Sequence, residues 1–175
     1  GFVTANTTVN TLNSNSTGTA AVTLSNSQAL TLGTVTGANQ STNLTVSGAF
    51  NSSSAFTVNG FTVSADSIDL TSGTGTSTNG ASLTSDAGDI TGAFNTGSTL
   101  LTLDAAGTIG VNPGGRFTTD ATAMTVDATG SAFIESTSAT GVAFNSGTIT
   151  NTFDLLSANT ATTAASNTIT ASDVV

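Results

Sequence analysis

The chain contains no cysteine, histidine, lysine, tryptophan or tyrosine, and only one arginine, one proline and one methionine. Each absence removes a class of function. Without cysteine there is no disulfide framework and no thiolate metal site. Without histidine or lysine there is no imidazole or amine to serve as base, nucleophile or Schiff-base partner. A single cation, Arg116, against nine Asp and one Glu leaves a net charge of −9. That balance excludes nucleic acid, whose phosphates demand cations, and anionic membrane surfaces on the same ground. No apolar run reaches the roughly 18 residues a spanning helix needs, so membrane insertion is not expected. No charged-then-apolar leader opens the chain, and Gly1 reads as a mature or excised start.

What remains is a low-charge, hydroxyl-rich composition. Charged residues are 6% of the chain, against roughly 25% in ordinary soluble domains. Threonine alone supplies 39 residues, yet 37% of the chain is hydrophobic. A disordered chain is poor in β-branched and apolar residues, whereas Thr, Val and Ile fit extended, pleated strands. Gly, Asn, Ser and Thr interrupt every window in which a helical stripe could develop. The composition predicts an all-β fold.

A short motif recurs: apolar, usually Thr, usually apolar, then a small polar residue. Its copies begin at Val22, Leu44, Phe61, Leu83, Leu101, Met124 and Val142, separated by 22, 17, 22, 18, 23 and 18 residues, a mean of 20. The alternation of long and short steps suggests a superperiod near 40. A second apolar segment follows, marked by Leu30, Ile68, Ile90, Ile109 and Ile149, and Phe56, Phe94, Phe117 and Phe153 are candidates for a third wall. Positional repeats of this length are the signature of a solenoid, in which equivalent residues stack directly above one another. An antiparallel sandwich would need more hairpin dipeptides than Asn59-Gly60 and Asn79-Gly80. The expected architecture is a right-handed parallel β-solenoid of eight or nine coils of about 20 residues, a rod about 40 Å long. It is expected to form one repetitive unit over residues 1–175, clearest over 21–150, and to be part of a longer protein. The motif starts are expected to form one buried column.

The runs AVTLSNSQALTLGTVTGANQSTNLTVSG (Ala21–Gly48) and LTSDAGDITGAFNTGSTLLTLDAAGTIG (Leu83–Gly110) resemble repeats of filamentous-haemagglutinin-type exoproteins. These are products of two-partner secretion systems and related autotransporter passengers. The resemblance covers roughly Ala21 to Ile149 and is carried by degenerate motifs. It implies a β-helix on, or released from, a bacterial surface, acting in adhesion, biofilm or filament formation. Surface glycans or receptors on other cells are then the implied partners. The secretion domain and the barrel that such proteins carry are not evident in the sequence.

Candidate chemistry is confined to carboxylates. Asp66 with Asp69, and Asp86 with Asp89, are the pairs a carbohydrate-active β-helix would use. Asp is also a turn former that bonds its own backbone, and no Trp or Tyr is present as a sugar platform. The fourth motif position reads Ser25, Ser47, Ser64, Asp86, Asp104, Asp127 and Asn145. If successive copies stack, Asp86, Asp104 and Asp127 lie about 5 Å apart, and Ca²⁺ is the cofactor that oxygen-only ligands would take; hydrated turn formers are the simpler reading. No other cofactor is expected. Arg116, in NPGGR (Asn112–Arg116), is expected on a surface excursion, meeting a nearby carboxylate. The triplets Thr34-Val35-Thr36, Thr148-Ile149-Thr150 and Thr168-Ile169-Thr170 fit an ice-binding pattern but do not recur once per coil.

These features point to a structural or adhesive extracellular protein without catalytic activity, with a polymerising pilus or surface-layer subunit as the alternative. The segments Gly1–Asn15 and Ala158–Val175 carry no Lys or Pro, and Asp173 is their only side-chain charge. Strand edges so unprotected favour self-association, end to end or laterally.

Overall fold

The structure is a computed structural model that describes residues 2–15, 18–19, 21–36, 39–112, 114–163 and 169–174. Every pairing between its strands is parallel, and successive partners lie about 20 residues apart in a β-solenoid of about eight turns. Two ten-stranded sheets form the walls. Sheet A stacks Phe2–Thr7, Ala21–Asn26, Ser41–Val46, Gly60–Ala65, Ala81–Ser85, Leu100–Ala105, Ala123–Ala128, Val142–Ile149 and Ala161–Thr163. Ile169–Thr170 also pairs with Val142–Ile149. Sheet B stacks Thr11–Asn15, Leu30–Thr36, Ala49–Ser52, Ser67–Ser77, Ile90–Asn95, Phe117–Thr119, Ala132–Ser136, Thr152–Ser157 and Asp173–Val174. Phe56–Val58 joins it through Ser67–Ser77.

Period-two alternation sends every second side chain of each sheet A strand inward. The first inward column runs Val22, Thr42, Phe61, Ala81, Leu101, Met124, Phe144. The second runs Leu24, Leu44, Val63, Leu83, Leu103, Val126, and ends on Gly147. The motif starts therefore do not form the single expected column. Val22, Phe61, Leu101 and Met124 occupy the first, Leu44 and Leu83 the second, and Val142 lies two residues before Phe144. A slip of two residues keeps an apolar side chain inward, so the motif recurs at either of two levels. The superperiod near 40 is a product of that slip. Within the first column the steps are 19 to 20 residues, except 23 between Leu101 and Met124. The lengthened coil carries a small hairpin, closed by Val111 N–H to Gly115 O at 2.7 Å and Gly115 N–H to Val111 O at 3.0 Å.

In sheet B the column is Leu30, Phe50, Ile68, Ile90, Ile109, Ala132, Phe153. Four of the five expected second-segment residues stand in it. Ile149 does not: it pairs with Ala128 in sheet A. Of the expected third wall, Phe153 belongs instead to this second column, and Phe117 pairs with Ile134. Phe56 and Phe94 flank Gly75 in register, and a Cβ on Gly75 would meet the Phe94 ring at 2.3 Å and the Phe56 ring at 2.8 Å. Glycine there is a slot for two rings. Phe61 completes the cluster, its ring 5.1 Å from Phe56 and 5.4 Å from Phe94. At Gly92, φ is +100° and a Cβ would lie 2.2 Å from the Leu70 carbonyl carbon. The chain turns there as only glycine permits.

The interior is lined by apolar side chains, with a few polar groups among them. Thr42 is 5% exposed, and its hydroxyl has no partner, standing between Val22 and Phe61 in the first column. Thr42→Val keeps the shape and removes an unpaired buried hydroxyl, so it is expected to stabilise the protein by about 1 kcal/mol. Leu101→Asp, by contrast, places a charge where exposure is 0%, and is expected to abolish the cooperative unfolding transition. Thermal melts of the two variants against the parent check both signs.

Candidate functional site

The carboxylates sit at corners and on outward faces, and most hold one coil to the next. The Thr108 amide donates to Asp89 Oδ1 at 2.7 Å, and the Thr148 amide to Asp127 Oδ1 at 2.9 Å. Asp120 Oδ1 accepts from both Thr96 N–H (2.9 Å) and Gly97 N–H (2.8 Å). Asparagine does the same: Asn26 accepts from Val9 N–H and donates to Val9 O, and Asn13 accepts from Thr34 N–H. In each case donor and acceptor are about one coil apart in sequence. The expectation that Asp bonds its own turn holds for Asp69, whose Oδ1 accepts from Thr71 N–H (2.9 Å) and Thr71 Oγ1 (2.6 Å). Corner hydroxyls act likewise, as in Ser77 to Gly80 O (2.6 Å), Thr96 to Thr99 O (2.9 Å) and Ser138 to Gly141 O (2.7 Å).

Of the three calcium candidates, Asp104 and Asp127 are direct register partners in sheet A. Asp86 is not in their column. Thr84 is the residue opposite Asp104, and Asp86 lies beyond the strand, accepting from Ser64 Oγ at 2.7 Å. The two-residue slip of the motif displaces it. Asn145 falls at the register shift between Met124 and Thr125, outside the column as well. Among the described residues, no three His, Cys, Asp or Glu side chains come together to hold a metal ion. Asp66 lies on the corner between the sheets and Asp69 on the outward face of sheet B. Asp86 and Asp89 share one turn, bonded to Ser64 and Thr108 respectively.

Arg116 meets a carboxylate that sequence spacing alone did not name. Its Nη2 donates to Asp154 Oδ2 at 2.6 Å, and its Nη1 to Asp154 O at 3.2 Å. Arg116 immediately precedes Phe117, the partner of Ile134, and Phe133 lies opposite Asp154, so the guanidinium reaches past the intervening coil to the next. The separation of 38 residues, close to two periods, is the signal that could have found it. The Asp154 side chain and this bond hold the guanidinium more firmly protonated than usual. Pro113 of the same loop lies outside the described residues.

The outward face of sheet A carries two polar columns. One runs Thr4, Thr23, Asn43, Thr62, Ser82, Thr102, Thr125, Ser146, and the other Asn6, Ser25, Thr45, Ser64, Thr84, Asp104, Asp127, Thr148. Of the Thr-x-Thr triplets, Thr34 and Val35 lie in sheet B, Thr148 belongs to this second column, and Thr168 lies outside the described residues. Comparison with protein-family models, with curated proteins and with solved structures gives no match.

Two tests follow. Burial, then the negative charges of Asp127 and Asp86, push the Asp104 carboxyl above its usual range. Its folded form therefore holds its proton more tightly than the unfolded chain, and its contribution to stability falls as pH rises through and just above that range. The Thr71 hydroxyl, opposed by burial and aided by the Thr71 amide and Thr91, holds Asp69 below it. That contribution is present above the unfolded value and lost as pH falls through the folded one. Asp104→Asn is thus expected to raise the melting temperature at neutral pH and low salt, and Asp69→Asn to lower it. Melts from pH 3 to 7 should diverge from the parent with opposite sign; parallel curves would contradict the assignment. Separately, Arg116→Ala leaves the buried Asp154 without its cation, with an expected loss of about 1–3 kcal/mol in denaturant unfolding. Adding Asp154→Asn should recover part of it.

Proposed function

We propose that the chain is a structural and adhesive segment of an extracellular or cell-surface protein, without catalytic activity. The observation that carries this reading is how its carboxylates are used. Asp69, Asp89, Asp120, Asp127 and Asp154 each accept from a backbone amide or from Arg116, and so serve the stack itself. Around them run two parallel ladders with a buried column behind each. Such a rod is a rigid spacer with a hydroxylated, weakly charged exterior, suited to display. The resemblance of Ala21–Gly48 and Leu83–Gly110 to filamentous-haemagglutinin-type repeats supports the same reading. Surface glycans or receptors on other cells are the partners this exterior would meet, through hydroxyls and amides.

Self-association belongs to the proposal. Phe2–Thr7 and Thr11–Asn15 each pair on one side only among the described residues. A second copy, or further coils of a longer chain, would complete those edges. The alternative, a pilus or surface-layer subunit that polymerises by strand exchange, uses the same edges. End stacking is favoured because the ladders are already parallel and continuous along the axis.

The test is surface display. Bacteria displaying the parent chain are expected to clump or adhere to glycan-coated plates more than bacteria displaying Leu101→Asp. Equal behaviour would remove the adhesive reading. Release of reducing sugar from a polysaccharide panel, lost on Asp66→Asn or Asp86→Asn, would replace it with an enzymatic one.

A further inference from the structure

Hydroxyls at the corners of the coil are bonded to the chain, but those in the first outward column of sheet A are not. Thr23, Asn43, Thr62, Ser82, Thr102 and Thr125 make no side-chain hydrogen bond among the described residues. With the second column, they place a hydroxyl or amide at positions i and i+2 on every coil but the two that carry Asp104 and Asp127. The first five rungs, from Thr4-x-Asn6 to Ser82-x-Thr84, are free of charge. Rungs lie about 4.8 Å apart, and the two columns about 6.7 Å apart. The adjoining positions Ala21, Ser41 and Gly60 are small, and with Thr23, Asn43, Thr62 and Ser82 they line a shallow open trough that Asn79 and Leu100, the latter 41% exposed, border.

We infer that this face binds ice. Hexagonal ice repeats its oxygen sites on this scale in two directions, and a fixed grid of hydroxyls, unbonded throughout the first column and engaged at Ser64 in the second, can hold water at such sites. Threonine is stiff at χ1, and the ladder fixes its backbone, so the array loses little freedom on engaging a lattice. A crystalline polysaccharide is the competing occupant. It is disfavoured because none of the sixteen residues of the two columns is aromatic, so a sugar ring has no platform there. Asp104 and Asp127 interrupt the second column and bound the array, and the Asp86 carboxylate, bonded to Ser64, lies at its margin. The inference rests on the fold and is independent of the adhesive reading.

Ice-affinity partitioning tests it. The parent chain is frozen slowly with serum albumin, and the ice and liquid fractions are assayed. Enrichment in ice over albumin is expected. Thr62→Lys, on the array, should lose that enrichment, and Thr57→Lys, on the outward face of sheet B, should keep it; circular dichroism melts confirm that both are folded. Asp104→Thr with Asp127→Thr lengthens the neutral array and should increase the enrichment. Exclusion of the parent chain from ice would overturn the inference whatever the variants do. So would equal loss in Thr57→Lys and Thr62→Lys, or retention on crystalline cellulose or chitin without enrichment in ice.

Discussion

The structure depends on one constraint: each strand must pair in parallel with the strand one coil before and one coil after it. Parallel pairing places like positions opposite like positions, so a residue's neighbours are its equivalents on adjacent coils. A single inward leucine therefore contributes to a column rather than to a local cluster. The Leu83–Leu103–Val126 run and the Leu30–Phe50–Ile68–Ile90 run bury their side chains almost completely for this reason. One coil has too little interior to fold by itself, and the stack is the cooperative unit.

The same geometry explains how a chain with ten acidic side chains and one cation tolerates them. At the corners the ladder is interrupted and backbone amides need acceptors. Asp89 and Asp120 supply carboxylate oxygens there to amides of neighbouring coils, and Asp127 does so on the outward face of sheet A. Charge-assisted bonds of this kind are stronger than neutral ones. Asp104 gains no such bond: it lies opposite Asp127 across the ladder, where partial burial and repulsion disfavour its charge. The only ion pair among the described residues, Arg116 with Asp154, clamps three coils at the place where the Val111–Gly115 hairpin leaves the stack.

Fold class, coil length and the inward residues were legible in the sequence, because each follows from composition and from an apolar-polar alternation that survives without neighbours. Leu44, Phe61, Leu83, Leu101 and Met124 are all buried, as their motif positions required. Register was not legible. A two-residue slip preserves alternation, so Leu44 and Phe61 look equivalent in the sequence yet stand in different columns. Only backbone pairing with the adjacent coil distinguishes them. That same slip made Asp86, Asp104 and Asp127 look like one row, where the ladder joins only the last two. It also divides the outward threonines of the motif, expected as one ladder, between two columns, with Thr102 and Thr125 in one and Thr45 in the other. The sequence by itself determined that this chain stacks short strands around an apolar interior, through side-chain periodicity alone. Which side chains share a column, and so which surface the protein offers, was decided by tertiary structure, because a column exists only between coils.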